Sequence, residues 1–186
     1  MTYDEARELI PNGSVIFFSG GKRNLTRRLI TLFSDGPHYH VGIAVWMKAG
    51  GKRRLMLAES QPDGFRMVTL GSYSDRNMTV IQHPGASEQV IDMAIESSGR
   101  IPYDYTDMVA ILFRERLGIK VPEWATSRGD VCSVFVSKIL QKAGVLGIDT
   151  LVSPEKLLTQ LKEIAPVFLE IESKSSVTGF NPSPSI

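Results

Sequence analysis

Three side chains, including the chain's one cysteine, have the types needed for nucleophilic catalysis. Cys132 lies at the predicted start of a helix that Asp130 can cap. The unpaired N–H groups and the partial positive charge at a helix start stabilise a thiolate, and they can also stabilise an oxyanion. A thiol nucleophile needs a base, for which imidazole is the natural side chain, so His40 is the candidate base. Glu59 is the candidate third member, because a carboxylate fixes the imidazole tautomer.

Each of these residues also has an ordinary structural interpretation. Cys132 can be a small buried apolar residue, His40 a structural or surface histidine, and Glu59 a solvated carboxylate at the end of a strand. A zinc site formed by His38 and His40, with Cys132 or His83 as the third ligand, is a further alternative. Alternate strand residues and one distant thiol make a loose pattern, so we predict neither a metal nor a cofactor.

Two predicted strands would position the base and the carboxylate. Residues 39–46 alternate as a strand does, with His40 beside the small Gly42 and Ala44, which are expected to leave room for another group. A glycine hairpin then returns the chain along a second strand that ends at Glu59. The face opposite His40 is expected to be apolar and to comprise Tyr39, Val41, Ile43 and Val45.

The first half of the chain is predicted to be mostly antiparallel sheet, and the second half mostly helix. This order favours an α+β fold in which the sheet packs against helices. Residues 1–172 are predicted to form one domain, and residues 173–186, rich in Ser, Pro, Gly and Asn, a flexible C-terminal tail. The predicted strands cover residues 14–18, 39–46, 54–59, 65–70, 78–82 and 167–171, and the predicted helices cover 4–10, 25–33, 87–98, 104–117, 130–143 and 154–164.

Composition restricts the classes of protein. The chain has 186 residues, of which 42% are hydrophobic, and a net charge of +1, which fits one folded domain and excludes disorder throughout. The same charge argues against sequence-specific nucleic-acid binding, and no apolar run is long enough for a transmembrane segment. The N-terminus has early acids and no signal-like apolar run. We therefore expect a cytoplasmic protein, or one that is virion-associated or delivered to the envelope by other means.

Four ordered segments resemble a known family. In the sequence they read GSVIFF at 13–18, HVGI at 40–43, LAES at 57–60, and DVCSVFV at 130–136 running on to AGV at 143–145. Together they resemble the circularly permuted branch of the NlpC-type papain-like superfamily, the YiiX-like proteins, with lecithin retinol acyltransferase as a more distant relative. The resemblance spans roughly residues 13–160 and implies a papain-like α+β fold.

The resemblance also implies a chemistry. It makes Cys132 the nucleophile, His40 the base and Glu59 the third polar residue. Relatives have a tyrosine that supports the oxyanion, a role that Tyr103 or the neighbouring Tyr105 could take, and core packing is the structural alternative for Tyr103. The implied reaction is hydrolysis of an amide bond through an acyl-enzyme, with a peptide or peptidoglycan as substrate. Two alternatives stay open. One is an acyltransferase or thioesterase acting on acyl lipids with the same residues. The other is a catalytically silent component of a larger assembly, in which a partner would hold the C-terminal tail.

Overall fold

The computed structural model has an α+β fold, as predicted. It describes residues 1–20, 36–61, 64–83, 88–96, 110–111, 114, 118 and 131–173. The elements within these residues, in chain order, are α1 (Tyr3–Ala6) continued by a 3₁₀ turn (Arg7–Leu9), β1 (Val15–Ser19), β2 (His40–Ala49), β3 (Lys52–Gln61), β4 (Gly64–Thr69), a second 3₁₀ turn (Leu70–Tyr73), β5 (Asn77–Ile81), α2 (Glu88–Glu96), α3 (Cys132–Lys142), α4 (Pro154–Ile164) and β6 (Val167–Ile171).

The six strands form one antiparallel sheet in the order β4-β3-β2-β1-β5-β6. The hairpin between β2 and β3 contains Gly50 and Gly51, both with positive φ (57° and 74°). Two consecutive positive φ angles match the right-handed twist of the flanking strands, and glycine adopts them without strain. The hairpin sets the register, in which Ile43 lies opposite Ala58.

Both faces of this sheet are buried. The face that carries Val41, Ile43 and Val45 packs against α3 and α4 in one apolar cluster. The opposite face forms a second cluster with the N-terminal segment, in which Leu55 and Leu57 take part. Alternate residues of β2 and β3 therefore contribute to two separate cores.

Two expectations for β2 are wrong. Tyr39 lies before the strand and packs with the second cluster, so it does not share the face of Val41. Gly42 leaves no open space beside His40. A Cβ atom at this glycine would come within 2.8 Å of the Ala58 carbonyl oxygen and of Leu57 Cδ1, so the space is already filled.

The helices begin where local capping allows. Pro154 occupies the first position of α4, and the Ser153 hydroxyl accepts a hydrogen bond from the Lys156 backbone N–H. The N-cap of α3 is Val131, one residue later than the predicted capping residue Asp130, which is outside the described residues. None of the helices described has the length and apolar character needed to cross a bilayer.

Several predictions concern residues outside the described part of the chain. They include the helix over 25–33, most of the helix over 104–117, Tyr103, and residues 174–186 of the tail. The division into a domain of residues 1–172 and a flexible tail therefore stays a prediction.

Candidate active site

His40 and Glu59 are hydrogen-bonded to each other. His40 is the first residue of β2, and continuing the β2–β3 register places Gln61 opposite it and Glu59 at the diagonal position. His40 Nε2 lies 2.5 Å from Glu59 Oε2, and Gln61 Nε2 lies 3.1 Å from the same ring nitrogen. Pairing of the two strands thus creates the contact that the sequence predicted.

Two aromatic rings hold the imidazole in place. His40 stacks on Phe18 with ring centroids 5.6 Å apart, and on Tyr73 with centroids 6.2 Å apart. Phe18 is opposite His40 in the β1–β2 pairing, and Tyr73 comes from the 3₁₀ turn after β4. His40 is 6% exposed, so its ring orientation is set by packing as well as by its hydrogen bonds.

Glu59 is a fully buried carboxylate with three donors. Tyr73 donates its hydroxyl at 2.7 Å and 2.8 Å from the two carboxylate oxygens, and Arg66 Nε donates to Oε1 at 2.9 Å. Burial acts to raise the pKa of Glu59, but the hydrogen bonds from His40, Tyr73 and Arg66 outweigh it and lower that pKa to about 2. Glu59 is therefore ionised at neutral pH, and it is not the solvated carboxylate of the alternative interpretation.

Cys132 is the first residue of α3 and interacts with His40. Burial acts to lower the pKa of His40, but its interactions with Cys132 and Glu59 raise it to about 9. The imidazole is therefore charged at neutral pH. The side chain of Val131, the N-cap of α3, cannot accept a hydrogen bond from the first N–H groups of the helix. Cys132 itself is 6% exposed.

His38 has a different set of partners. Its Nδ1 lies 2.8 Å from Glu155 Oε2, its Nε2 lies 3.3 Å from Thr79 Oγ1, and its ring packs edge-on against Phe17. The two histidines suggested as zinc ligands thus contact separate carboxylates. Across the described ranges, no group of three or more His, Cys, Asp or Glu residues is arranged to hold a metal ion.

Three residues around the site were not predicted from the sequence. Arg66 is directly opposite Glu59 in the β3–β4 pairing, so antiparallel pairing of the predicted strands over 54–59 and 65–70 could have identified it. Gln61 could have been found from the β2–β3 register in the same way. Tyr73 had no such signal, because its position depends on a turn that folds back over β3.

Comparisons with known proteins support the fold. No family model matches the sequence, and no curated protein matches it. Among solved structures, the chain is similar to the crystal structure of the metalloprotein yiiX from Escherichia coli O157:H7. The identity is 18%, the TM-score is 0.51, and the match covers 91% of this chain and 92% of that one. The chain therefore has a YiiX-like α+β fold.

Proposed function

We propose that this protein is a thiol hydrolase of the permuted NlpC-like, papain-like type, which cleaves an amide bond through Cys132, His40 and Glu59. One observation carries the proposal: a single buried imidazole interacts with both the lone thiol and a buried, ionised carboxylate. A nucleophile, a base in reach of it, and a third group that orients the base make up the arrangement of a catalytic triad.

In this proposal the two ring nitrogens of His40 serve different partners. Glu59 accepts a hydrogen bond from Nε2, which leaves Nδ1 for the sulfur of Cys132. Glu59 therefore fixes the ring orientation and favours the imidazolium form, as the third member of a triad does. Arg66 and Tyr73 keep Glu59 ionised and in place through their own hydrogen bonds.

The reaction follows from these positions. The sulfur of Cys132, paired with the His40 imidazolium that holds the proton, attacks the carbonyl carbon of the scissile amide and forms a C–S bond. The N–H groups at the start of α3 stabilise the oxyanion. His40 gives its proton to the leaving amine, the C–N bond breaks, and an acyl-enzyme remains. A water molecule then loses a proton to His40 and attacks the acyl carbon, the C–S bond breaks, and the carboxylic acid leaves while the sulfur is again paired with the His40 imidazolium.

The proposed substrate class is a peptide, isopeptide or peptidoglycan amide. Hydrolysis of a cell-wall peptide would require delivery of the protein to the envelope or packaging in a virion. An acyl lipid would use the same three residues, so the substrate assay must include both chemistries. The Cys132→Ser variant is expected to fold normally and to lose turnover of the peptide amides. Turnover that persists in this variant would show that the nucleophile is misassigned.

Alkylation of Cys132 tests the site without a known substrate. Iodoacetamide labelling is measured from pH 5 to pH 9 for the wild type, His40→Ala and His38→Ala. We expect the wild-type thiol to be alkylated readily at pH 6 to 7, because the His40 imidazolium lies beside it and favours the reactive form of the sulfur. His40→Ala should slow labelling at pH 6 to 7 by at least about tenfold.

His38→Ala is the matched control for this experiment. It also removes a buried histidine that is hydrogen-bonded to a carboxylate, but one that contacts Glu155 and Thr79. Its labelling profile should follow the wild type. Labelling that is insensitive to His40 would contradict the hydrolase and favour a catalytically silent module.

A further inference from the structure

A basic cavity lies at the opposite end of the β2–β3 hairpin from the candidate active site. Its volume is about 320 Å³, and its lining includes Arg7, Lys52, Arg53 and Arg54 together with Tyr3 and Thr69. The β3 residues that line it, from Lys52 to Leu55, are paired with Ala49 to Trp46 of β2, six to nine positions along the strand from His40. A ligand here would not contact Cys132 or His40.

The lining of the cavity concentrates positive charge. Four cationic side chains line it, although the whole chain has a net charge of only +1. Among the described residues no Asp or Glu lines the cavity. One of the four, Arg7, also pairs with Glu8 at 3.7 Å, and both of these side chains are well exposed. Like charges gathered around one concave surface repel each other, and a bound anion would remove that repulsion.

Trp46 orders two of these cations. Its indole Nε1 donates to the Ile10 carbonyl oxygen at 2.9 Å, which fixes the ring. The Arg53 guanidinium lies 3.9 Å from the ring centroid, and the Arg7 guanidinium lies 5.6 Å away, within the range of a cation–π contact. Arg7 also donates to the Arg53 carbonyl oxygen at 3.4 Å. A guanidinium stacked through its face keeps its N–H edges available for an anion, and little side-chain entropy is then lost on binding.

We propose that this cavity, lined by Arg7, Lys52, Arg53 and Arg54, is a binding site for a multiply charged phosphate group. Planar guanidinium groups match the oxygens of a phosphate with paired hydrogen bonds, and a lysine adds a further positive charge. The hydroxyl groups of Tyr3 and Thr69, which also line the cavity, can donate to the remaining oxygens. The phosphate belongs either to a soluble phosphorylated compound or to a lipid headgroup.

The test uses the fluorescence of Trp46 in the full-length protein. The chain has two tryptophans, so a Trp124→Phe background assigns the signal to Trp46. Inorganic tripolyphosphate is titrated into this protein at low salt and at 0.5 M salt. Saturable quenching that weakens with salt is expected, because the contact between the guanidiniums and the indole changes when the anion binds. A Trp46 signal that does not respond would overturn the proposal.

Charge-matched variants locate the site. The triple variant Lys52→Gln, Arg53→Gln and Arg54→Gln should weaken tripolyphosphate binding at least tenfold. The control variant replaces three exposed lysines of α3 and α4, Lys142, Lys156 and Lys162, by glutamine. It removes the same net charge and should bind as the parent does. Equal weakening in both variants would mean that only net charge matters, and would overturn the assigned site.

Two further arms define the ligand. Citrate, a carboxylate anion, should bind at least tenfold more weakly than tripolyphosphate, and equal binding would overturn the assignment to phosphate.

Vesicles that contain phosphatidylinositol phosphate are compared with vesicles of phosphatidylcholine alone in a sedimentation assay. Binding to the phosphoinositide vesicles that the triple variant abolishes would identify a lipid headgroup as the source. Tripolyphosphate binding without vesicle binding would identify a soluble phosphate compound. Either result supports the phosphate site.

Discussion

Glu59→Gln is the substitution that most directly tests the electrostatics of the site. The variant keeps the size and shape of the side chain and removes its negative charge. Glu59 is fully buried, and it accepts hydrogen bonds from His40, Tyr73 and Arg66. The substitution by glutamine therefore removes the charge that stabilises the His40 imidazolium and keeps the apolar packing around the ring.

The magnitude follows from the pKa of His40. Its rise from 6.5 to about 9 corresponds to about 3 kcal/mol in favour of the imidazolium. Cys132 and Glu59 are the two sources of this rise, and burial opposes it. We therefore expect Glu59→Gln to lower the pKa of His40 by about one, which corresponds to roughly 1 kcal/mol.

The same shift sets the sign of the stability change with pH. The pKa of His40 in the folded protein lies above its ordinary value. The stabilisation from its charged form is therefore fully present below pH 6.5 and is lost as the pH rises through about 9. In Glu59→Gln the loss should be complete at a lower pH, because the pKa of His40 is lower in the folded variant.

Imidazole resonances in ¹H–¹⁵N NMR spectra measure this shift directly, because the chain has three histidines. The matched control is Glu155→Gln, which removes the carboxylate bound to His38 and should leave the titration of His40 unchanged. A His40 resonance that still titrates near pH 9 in Glu59→Gln would refute the reasoning. So would a shift of the same size in Glu155→Gln.

Three further substitutions test the surroundings of the site. Tyr73→Phe removes a hydroxyl that donates to both oxygens of Glu59, so urea denaturation should show a loss of about 2 kcal/mol. The pKa of Glu59 is lowered to about 2, so the stabilisation of the fold by its charged form is present above pH 4.5 and is lost as the pH falls towards 2. In Tyr73→Phe this loss should begin at a higher pH, because the carboxylate has one donor fewer. An acid transition at the wild-type pH would contradict this. Gly42→Ala places a Cβ atom 2.8 Å from the Ala58 carbonyl oxygen. Thermal denaturation should therefore show that the free energy of unfolding falls by about 1–3 kcal/mol. A variant as stable as the wild type would show that β3 can move aside. Ser153→Ala removes the N-cap of α4 and should cost about 1 kcal/mol in chemical denaturation, whereas no change would mean that Pro154 alone is enough to start the helix.

Local signals in the sequence predicted most of the described elements. The glycine hairpin, alternating strands and the Ser153-Pro154 helix start each depend on neighbouring residues, and β6 was predicted with its observed ends, Val167–Ile171. Short-range conformational preferences decide such features, so a single sequence is enough to read them. The N-cap of α3 is one residue later than predicted, because residue preferences locate the end of a helix only to within one or two positions.

The residue types of the candidate site were also readable from the sequence. A cysteine near a helix start, a histidine on a strand and a glutamate on the returning strand indicate thiol chemistry. Their pairing across the hairpin was predictable as well, because the register of two adjacent strands follows from the turn that joins them.

Only the tertiary structure decided how these groups are held and charged. Burial of Glu59 on the second face of the sheet, with Tyr73 packed over it, could not be read from strand periodicity. The raised pKa of His40 depends on contacts between segments up to 92 positions apart in the chain, 40 and 132. Sequence periodicity indicates which face of a strand a side chain lies on. Electrostatic free energies depend instead on the distances between charges and on their desolvation, and these two quantities are determined only when the chain folds.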